Sequence, residues 1–566
     1  MEEIRIGVFV CHCGTNIGGV VNVPGVAEYA RRLPHVVHSE HNLYSCSEAG
    51  LSSLKQGIRD HHLNRVIVAS CTPRTHEPLF KNACEEAGLN RYLFEFVNIR
   101  EHCSWIHSRD KEAATEKAKT LIRMGVAKAA LLEPQVEAKS DVIPAVLVIG
   151  GGIAGMTAAL NLARQGFGVH LVEKEPTLGG RVPRLTRICP TDEDPIQLIG
   201  PVISNVQEHK RITVHMPAMV KEVSGYVGNF HATIVGPDGE KSVQVGTIIV
   251  ATGAEVLTPN GQYGYEQFPN VVTQLKLEEQ IKETPDKYSG LKGAVLINCV
   301  GSRTPERPYC SRVCCMTSLK NAIQLKQRNP DAAIYVLHRD LMTYGVEFER
   351  YYRRAMEAGV RFMRYDLENP PQVVGNGRAE KVIVKDPLRG RELKLPADVV
   401  VLTPPLVPGP DNGTISRLLK VPLAESGFFL EAHIKLRPVE FATDGVFICG
   451  TARWPADISE TISQAYAASS KAAIPMRAGE VTAEAITAFS DPAACAGCGT
   501  CVTTCPFNAI ELQSKNDGKK FAVVNVVQCK GCGSCVAACP SKAMQQRGFT
   551  DAQVLSMIET FVEQEA

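Results

Sequence analysis

Cys495-x-x-Cys498-x-x-Cys501-x-x-x-Cys505-Pro506 recurs as Cys529-x-x-Cys532-x-x-Cys535-x-x-x-Cys539-Pro540. Few patterns restrict a chain so tightly. Each run offers three thiolates to one iron–sulfur cubane while its fourth cysteine crosses to the other, so Cys539 completes the first set and Cys505 the second. A zinc site needs only four ligands and gives no reason for the cysteine–proline pair that closes both copies. The spacing therefore predicts a small ferredoxin-like domain, residues 486–566, built around two [4Fe–4S] clusters and carrying a C-terminal helix. After Asp491 the composition turns abruptly to clustered cysteines, small residues and short strand-like stretches.

The remainder of the 566 residues is enough for two or three further domains, and 44% hydrophobic with 6% aromatic residues is a globular composition. Lys plus Arg number 61 against 60 Asp plus Glu, which leaves no basic stripe for nucleic acid. The opening MEEIRIGVFV lacks the cationic and long apolar regions of an export signal, and no apolar run approaches the roughly 18 residues that span a bilayer. A cytoplasmic protein without a membrane span is expected. In that compartment 20 cysteines read as metal ligands before disulfides.

Residues 1–132 alternate the apolar runs IRIGVFV, NRVIVAS and YLFEFVNI with amphipathic segments, the longest from Lys111 to Leu132, as in an α/β layer with a parallel sheet. A linker is expected over 133–144, EPQVEAKSDVIP. A second α/β region, 145–485, opens with AVLVIGGG and returns with TIIVATG, GAVLINCVGS and GVFICGT. Such returns suit a two-lobed dinucleotide fold whose second lobe, about 255–400, is inserted into the first.

In that region the strand AVLVI runs into Gly150-Gly151-Gly152-Ile153-Ala154-Gly155, then the helix MTAALNLARQG and a strand GVHLV ending at Glu173. The glycines allow a tight turn and bring a pyrophosphate close to the helix N-terminus, while Glu173 can accept from ribose hydroxyls. Leu178-Gly179-Gly180-Arg181, Ala251-Thr252-Gly253 and Asp444-Gly445-Val446-Phe447-Ile448-Cys449-Gly450 resemble the further motifs of two-dinucleotide flavoproteins, and that resemblance implies FAD. In many of those proteins Asp follows the last glycine; here Thr451 does. The helix expected from the segment Trp454–Thr461 either steadies negative charge on a reduced flavin or is an ordinary capped start. The expected cofactor-binding residues are Gly150, Gly152, Ile153, Ala154, Gly155, Glu173, Lys174, Gly180, Arg181, Ala251, Thr252, Gly253, Gly450, Thr451 and Ile458.

Pyridine-nucleotide disulfide reductases carry a second Gly-rich turn in the inserted lobe, but here the strand GAVLIN ends in Cys299-Val300-Gly301, with Cys310, Cys314 and Cys315 downstream. Four thiolates so close together are enough for one [4Fe–4S] cluster. A redox-active dithiol is the competing reading, although it would not require Cys299 and Cys310. Near the other end, Cys11, Cys13, Cys46, Cys71 and Cys103 follow strand-like runs, where a parallel sheet presents its carboxyl edge. They are five candidates for four ligand positions, with buried structural thiols as the alternative. Cys84, inside KNACEEAGL, reads as a small buried hydrophobe, and Cys189 as structural or incidental.

Taken with VCHCGTNIGGVV, VASCTPRTHEPLF, NIREHCSWIH and the adjacent Cys314-Cys315 pair, the chain resembles the A-type (HdrA-like) family of heterodisulfide reductase subunits over about residues 1–550. The resemblance implies an α/β, two-lobed Rossmann-type, thioredoxin-reductase-like flavoprotein with an N-terminal α/β iron–sulfur domain and a C-terminal two-cluster ferredoxin domain. It implies FAD, four [4Fe–4S] clusters and electron transfer, with flavin-based electron bifurcation or confurcation in a heterodisulfide-reductase-like complex. The partners so implied are B- and C-type subunits (HdrB/HdrC-like), an electron-donor module of hydrogenase, formate or NADH dehydrogenase type, and ferredoxin, in a dimer of heteromeric units. The rival readings are plain electron transfer without bifurcation, an NAD(P)H-dependent disulfide oxidoreductase and a non-catalytic assembly component. Long family members insert a ferredoxin domain after the Gly-Gly-Arg segment, whereas here only VPRLTRICPTDEDPIQLIG follows Arg181. The stretch His338-Arg339-Asp340-Leu341-Met342-Thr343-Tyr344-Gly345, with Glu347 and Glu349, resembles a family segment near the flavin; these residues either tune the flavin or belong to surface and packing.

Overall fold

A computed structural model describes residues 3–387, 389–514 and 518–563. It divides into two compact units, one of Met1–Ser140 with Thr482–Ala566 and one of Asp141–Val481. Among the described residues no helix is long and apolar enough to cross a membrane.

The Asp141–Val481 unit has the two-lobed Rossmann architecture expected from the sequence. Its first sheet is parallel, in the order Val446–Ile448, Thr247–Val250, Ala145–Ile149, Gly168–Val172, Ile212–His215. The runs AVLVI and TIIV are almost wholly buried, as strands covered on both faces must be. The helix Ile153–Arg164 crosses from the strand Ala145–Ile149 to Gly168–Val172, and its small residues let it pack closely on the helix Ile458–Ala478. The chain then builds a second parallel sheet, Val271–Thr273, Val399–Leu402, Gly293–Ile297, Ala333–His338, Arg361–Arg364, and returns to add Val446–Ile448 to the first. Each lobe also carries a three-stranded antiparallel sheet: Met219–Tyr226, Asn229–Gly236 and Gly239–Val245 in one, Gln372–Gly375, Ala379–Asp386 and Arg391–Pro396 in the other.

In the other unit, residues from the N-terminal part form a four-stranded parallel sheet in the order Val36–Asn42, Ile6–Cys11, Arg65–Ser70, Phe94–Asn98. The segment expected as a linker, 133–144, contains a short strand, Ala138–Asp141. The cysteine-rich part pairs Ala488–Ser490 with Met544–Gln546 and Ile510–Ser514 with Lys520–Val524. Its helix Asp551–Val562, opened by a Thr550/Gln553 capping box, lies against the helix Lys111–Ala130. There Gln553 donates to the Leu131 carbonyl at 2.8 Å, and the Lys128 ammonium, paired with Glu95 at 2.8 Å, sits 3.9 Å from the Phe549 ring centre.

Candidate flavin and iron–sulfur sites

The Gly-rich turn is shaped by contacts that leave no room for side chains. Gly150 has φ +113°, and a Cβ there would meet the Ala251 carbonyl oxygen at 2.3 Å. A Cβ on Gly155 would lie 1.8 Å from the Gly150 oxygen, so this glycine seats the helix on the turn. Gly152 differs: a Cβ would meet nothing within 4 Å, because the residue faces open space at the uncapped start of Ile153–Arg164. An uncapped helix start beside a void is where a pyrophosphate is held.

That void is a cavity of ≈ 1350 Å³, above the usual range for a single small-molecule pocket. Gly150, Gly152, Ile153, Ala154, Glu173 and Lys174 line it, as do Gly180, Arg181, Ala251, Thr252 and Gly253, and then Thr451 and Ile458. Of the expected set only Gly155 and Gly450 stand back from it. Gly450, at φ +68°, packs on Ala154. The Glu173 carboxylate accepts from the Gly151 N–H at 2.5 Å and the Glu175 N–H at 2.8 Å, which fixes it at the cavity wall. Lys174 pairs with Asp411 at 2.9 Å.

Arg181 makes no ion pair among the described residues; its Nη2 reaches the Thr451 hydroxyl at 3.5 Å. Burial, with Arg184 adding repulsion, pulls its guanidinium down to about 10, and the partly buried cation lines a space open to an anion. The Thr252 hydroxyl is buried without a partner. These features fit a dinucleotide. Asp457, also at the cavity wall, caps the helix Ile458–Ala478 by accepting from Glu460 N–H at 2.8 Å, so the capped start and the cavity-facing helix start are the same structure.

The same cavity is lined by Cys314, at the first turn of the helix Cys314–Arg328. Cys299, Cys310 and Cys315 lie within electrostatic reach of it. Burial first, and the neighbouring thiols with it, push Cys314 strongly upward, and burial holds Cys315 up at about 12. A set of converging thiols, Cys315 buried and the other three partly so, fits an iron–sulfur cluster, whose metal charge would draw the protons off. The loop is strained to make it: Cys299, Arg303 and Arg312 have φ near +60° (61°, 57° and 61°). Arg339 braces it by donating to the carbonyls of Ser302 and Arg303, while Tyr344 lines the cavity and accepts from Arg312 at 3.1 Å. Glu347 and Glu349 pair with Arg350 and Arg353.

In the cysteine-rich part, Cys501 feels Cys495 and Cys498, and Cys498 feels Cys539. Burial first, and then Cys529, Cys505 and Cys532, hold Cys535 at about 11. The sequence crossing of the two runs is thus present in space. Gly499 and Gly533 adopt φ +80° and +75° at equivalent places in the two copies, the left-handed turn that brings each loop round its thiols. N–H groups of Ala509 and Ala488 donate to Cys505 and Cys529 at 3.3 and 3.4 Å.

Of the five N-terminal candidates the structure brings together four. Cys46 and Cys71 both lie within reach of Cys11 and Cys13, and Cys11 accepts from the N–H groups of Cys13 and Ser45, each at 3.3 Å. Arg100, stacked on Trp105, donates to Cys13 at 3.7 Å. The Ser45 hydroxyl is buried there without a partner, and the Ser70 side chain bonds to Cys71. Cys103 points elsewhere, its thiol donating to the Ala114 carbonyl at 2.9 Å. Cys84 is fully buried and pushed up to about 12. Among the described residues no three His, Cys, Asp or Glu side chains are gathered closely enough for a single metal ion; a cubane takes more widely spread thiolates.

Sequence reasoning missed the buried Glu278–Lys320 ion pair, 2.7 Å apart and 1% and 3% exposed, both residues lining the flavin cavity. The signal was present as charges on the buried faces of two amphipathic helices, which spacing alone does not separate from solvated positions.

Residues 144–471 match the pyridine nucleotide-disulphide oxidoreductase family model and residues 494–543 the 4Fe-4S dicluster domain. The chain is 40% identical to an iron-sulfur A subunit of the CoB--CoM heterodisulfide reductase of Methanopyrus kandleri, over 100% of this chain and 98% of that one. It is 39% identical to the A subunit of the H(2):CoB-CoM heterodisulfide,ferredoxin reductase of Methanothermobacter marburgensis, with the same coverage. The first alignment spans 661 positions against the 566 residues here, so that relative carries residues this chain lacks. Among solved structures, a Lactococcus lactis thioredoxin reductase matches with a TM-score of 0.42 and 17% identity, covering 60% of this chain and 100% of that one. The chain belongs to the A-type family of heterodisulfide reductase subunits, as an FAD- and [4Fe–4S]-binding oxidoreductase.

Proposed function

We propose that this protein is the flavin subunit of a heterodisulfide-reductase-like complex, splitting or merging electron pairs between one FAD and four [4Fe–4S] clusters. The observation that carries the reading is a cavity walled by both the Gly-rich turn and Cys314, where disulfide reductases would have a nicotinamide site. Bound FAD handles electrons in pairs, and each cluster passes them singly.

The chain's residues supply the rest. The turn Gly150–Gly152 and the start of Ile153–Arg164 hold the pyrophosphate, Glu173 orients the ribose, and Gly180, Ala251 and Gly253 shape the cavity. Arg181 and the start of Ile458–Ala478 offset negative charge. Cys299, Cys310, Cys314 and Cys315 hold one cluster; Cys11, Cys13, Cys46 and Cys71 hold another. Cys495, Cys498, Cys501 and Cys539 hold a third, and Cys505, Cys529, Cys532 and Cys535 the fourth. The partners are B- and C-type subunits, an electron-donor module and ferredoxin, in the cytoplasm; that the relatives are A subunits of heterodisulfide and ferredoxin reductases supports a complex of this kind.

Anaerobic purification with iron, sulfide and flavin assays tests the reading. About sixteen irons per FAD are expected for four cubanes; about eight would leave only the ferredoxin-type pair. Reduction of the isolated chain by NADH would favour the disulfide-reductase alternative. In a reconstituted complex, bifurcation requires that ferredoxin reduction stop when the higher-potential acceptor is withheld.

A further inference from the structure

A line of buried polar side chains runs through the inserted lobe from the Glu278 carboxylate to the Cys315 sulfur. Glu278 can only accept. It takes an N–H from Asn321 at 3.3 Å, and the same amide nitrogen donates to the Gln274 oxygen at 2.5 Å. The Gln274 nitrogen must then face the other way, and it donates to the hydroxyls of Ser318 and Thr403 at 3.0 and 2.9 Å. The two hydroxyls, 3.1 Å from each other, also reach the Asn298 oxygen, to which they donate at 2.5 and 3.0 Å. The Asn298 nitrogen is left facing Cys315 Sγ at 3.9 Å.

Every member is at most 5% exposed and Asn298 is fully buried. Its backbone is pinned as well: its N–H donates to Leu337 at 2.9 Å and its carbonyl accepts from the Tyr365 hydroxyl at 2.5 Å. A buried network this long is a costly way to fill a lobe, since apolar residues would pack as well. What it achieves is a preferred polarity: starting from an acceptor-only carboxylate, two hydroxyl donors on the Asn298 oxygen favour the orientation that turns its nitrogen to Cys315.

We propose that Asn298 is a positioning residue that raises the reduction potential of the cluster at Cys299, Cys310, Cys314 and Cys315 by holding an amide N–H on the Cys315 sulfur. This inference rests on the reading of those four cysteines as cluster ligands. One-electron reduction adds negative charge to the cluster and its sulfurs, and an N–H donor binds the more negative state more tightly. Asn298 and the residues behind it thereby ease entry of an electron at the cluster beside the flavin cavity.

The test is a reductive dithionite titration of the full-length protein followed by EPR, with the relevant signal identified as the one that Cys310→Ala abolishes. Asn298→Leu is expected to shift the reduction equilibrium of that signal about tenfold toward the oxidised form, a fall of about 59 mV, with the ferredoxin-type clusters unmoved. The double variant Ser318→Ala/Thr403→Val keeps Asn298 but frees its amide to turn, so a smaller fall is expected; it decides the matter if Asn298→Leu fails to fold. An unmoved potential in the loaded variants, or an equal shift of all clusters, overturns the proposal. Absence of any Cys310-dependent signal in the parent protein would instead overturn the cluster reading beneath it.

Discussion

Cys71 and Cys103 both follow strands of one sheet and both end buried, yet their sulfurs meet different company. Cys71 faces Cys11, Cys13 and the Arg100 guanidinium, whereas Cys103 is satisfied by a backbone carbonyl. Replacing Cys71 by alanine is expected to remove about four irons per chain, and Cys103→Ala none, as iron assays would show; the second change costs only a hydrogen bond, about 1 kcal/mol. Gly152→Val would drive two methyl groups into the space kept clear at the helix start, so the variant should emerge without the flavin absorption band while its iron is retained. Glu278→Gln leaves the Lys320 charge buried without its partner, a loss of about 3 to 5 kcal/mol, read as an earlier thermal release of FAD fluorescence. Replacing Glu278 and Lys320 together, by Leu and Met, should recover part of that loss, because no charge then remains to be solvated while the Thr186 and Asn321 donors lose an acceptor.

The apolar strands were legible because a strand covered on both faces must be apolar throughout: IGVFVC, AVLVI and TIIV leave no other reading. The strand Val36–Asn42 was not, since in VVHSEHN the one buried side chain, Ser39, is polar and the rest are half-buried or exposed. The antiparallel sheets hid for the same reason; Met219–Tyr226 has no fully buried residue, and its pairing partners, not its own composition, hold it in place. Motif glycines could be read from their spacing. The choice of four among five N-terminal cysteines could not, because it turns on the single wide helical turn Arg100–Ser104, which swings Cys103 away from the carboxyl edge of the sheet. Nor does any local pattern announce the polar line ending at Asn298, whose members come from two helices and two strand ends.

The whole chain combines two kinds of stability. The Asp141–Val481 unit rests on large apolar clusters around its sheets. The cysteine-rich part has a core of only Ala488, Cys501, Ile510, Ala522, Cys535 and Met544, with further cysteines packed against it, so cluster binding must supply much of its folding free energy. Iron removal by a chelator is therefore expected to abolish amide-exchange protection across residues 486–546 while FAD stays bound to the other unit. The discontinuity of the first unit matters in time as well as in space. Residues 1–140 and 482 onward fold together, yet at about 5–20 residues per second the ribosome takes tens of seconds to make what lies between. Throughout that interval the helix Lys111–Ala130 waits for the helix Asp551–Val562 that packs on it, so a nascent chain arrested before Thr482 is expected to leave that helix face uncovered.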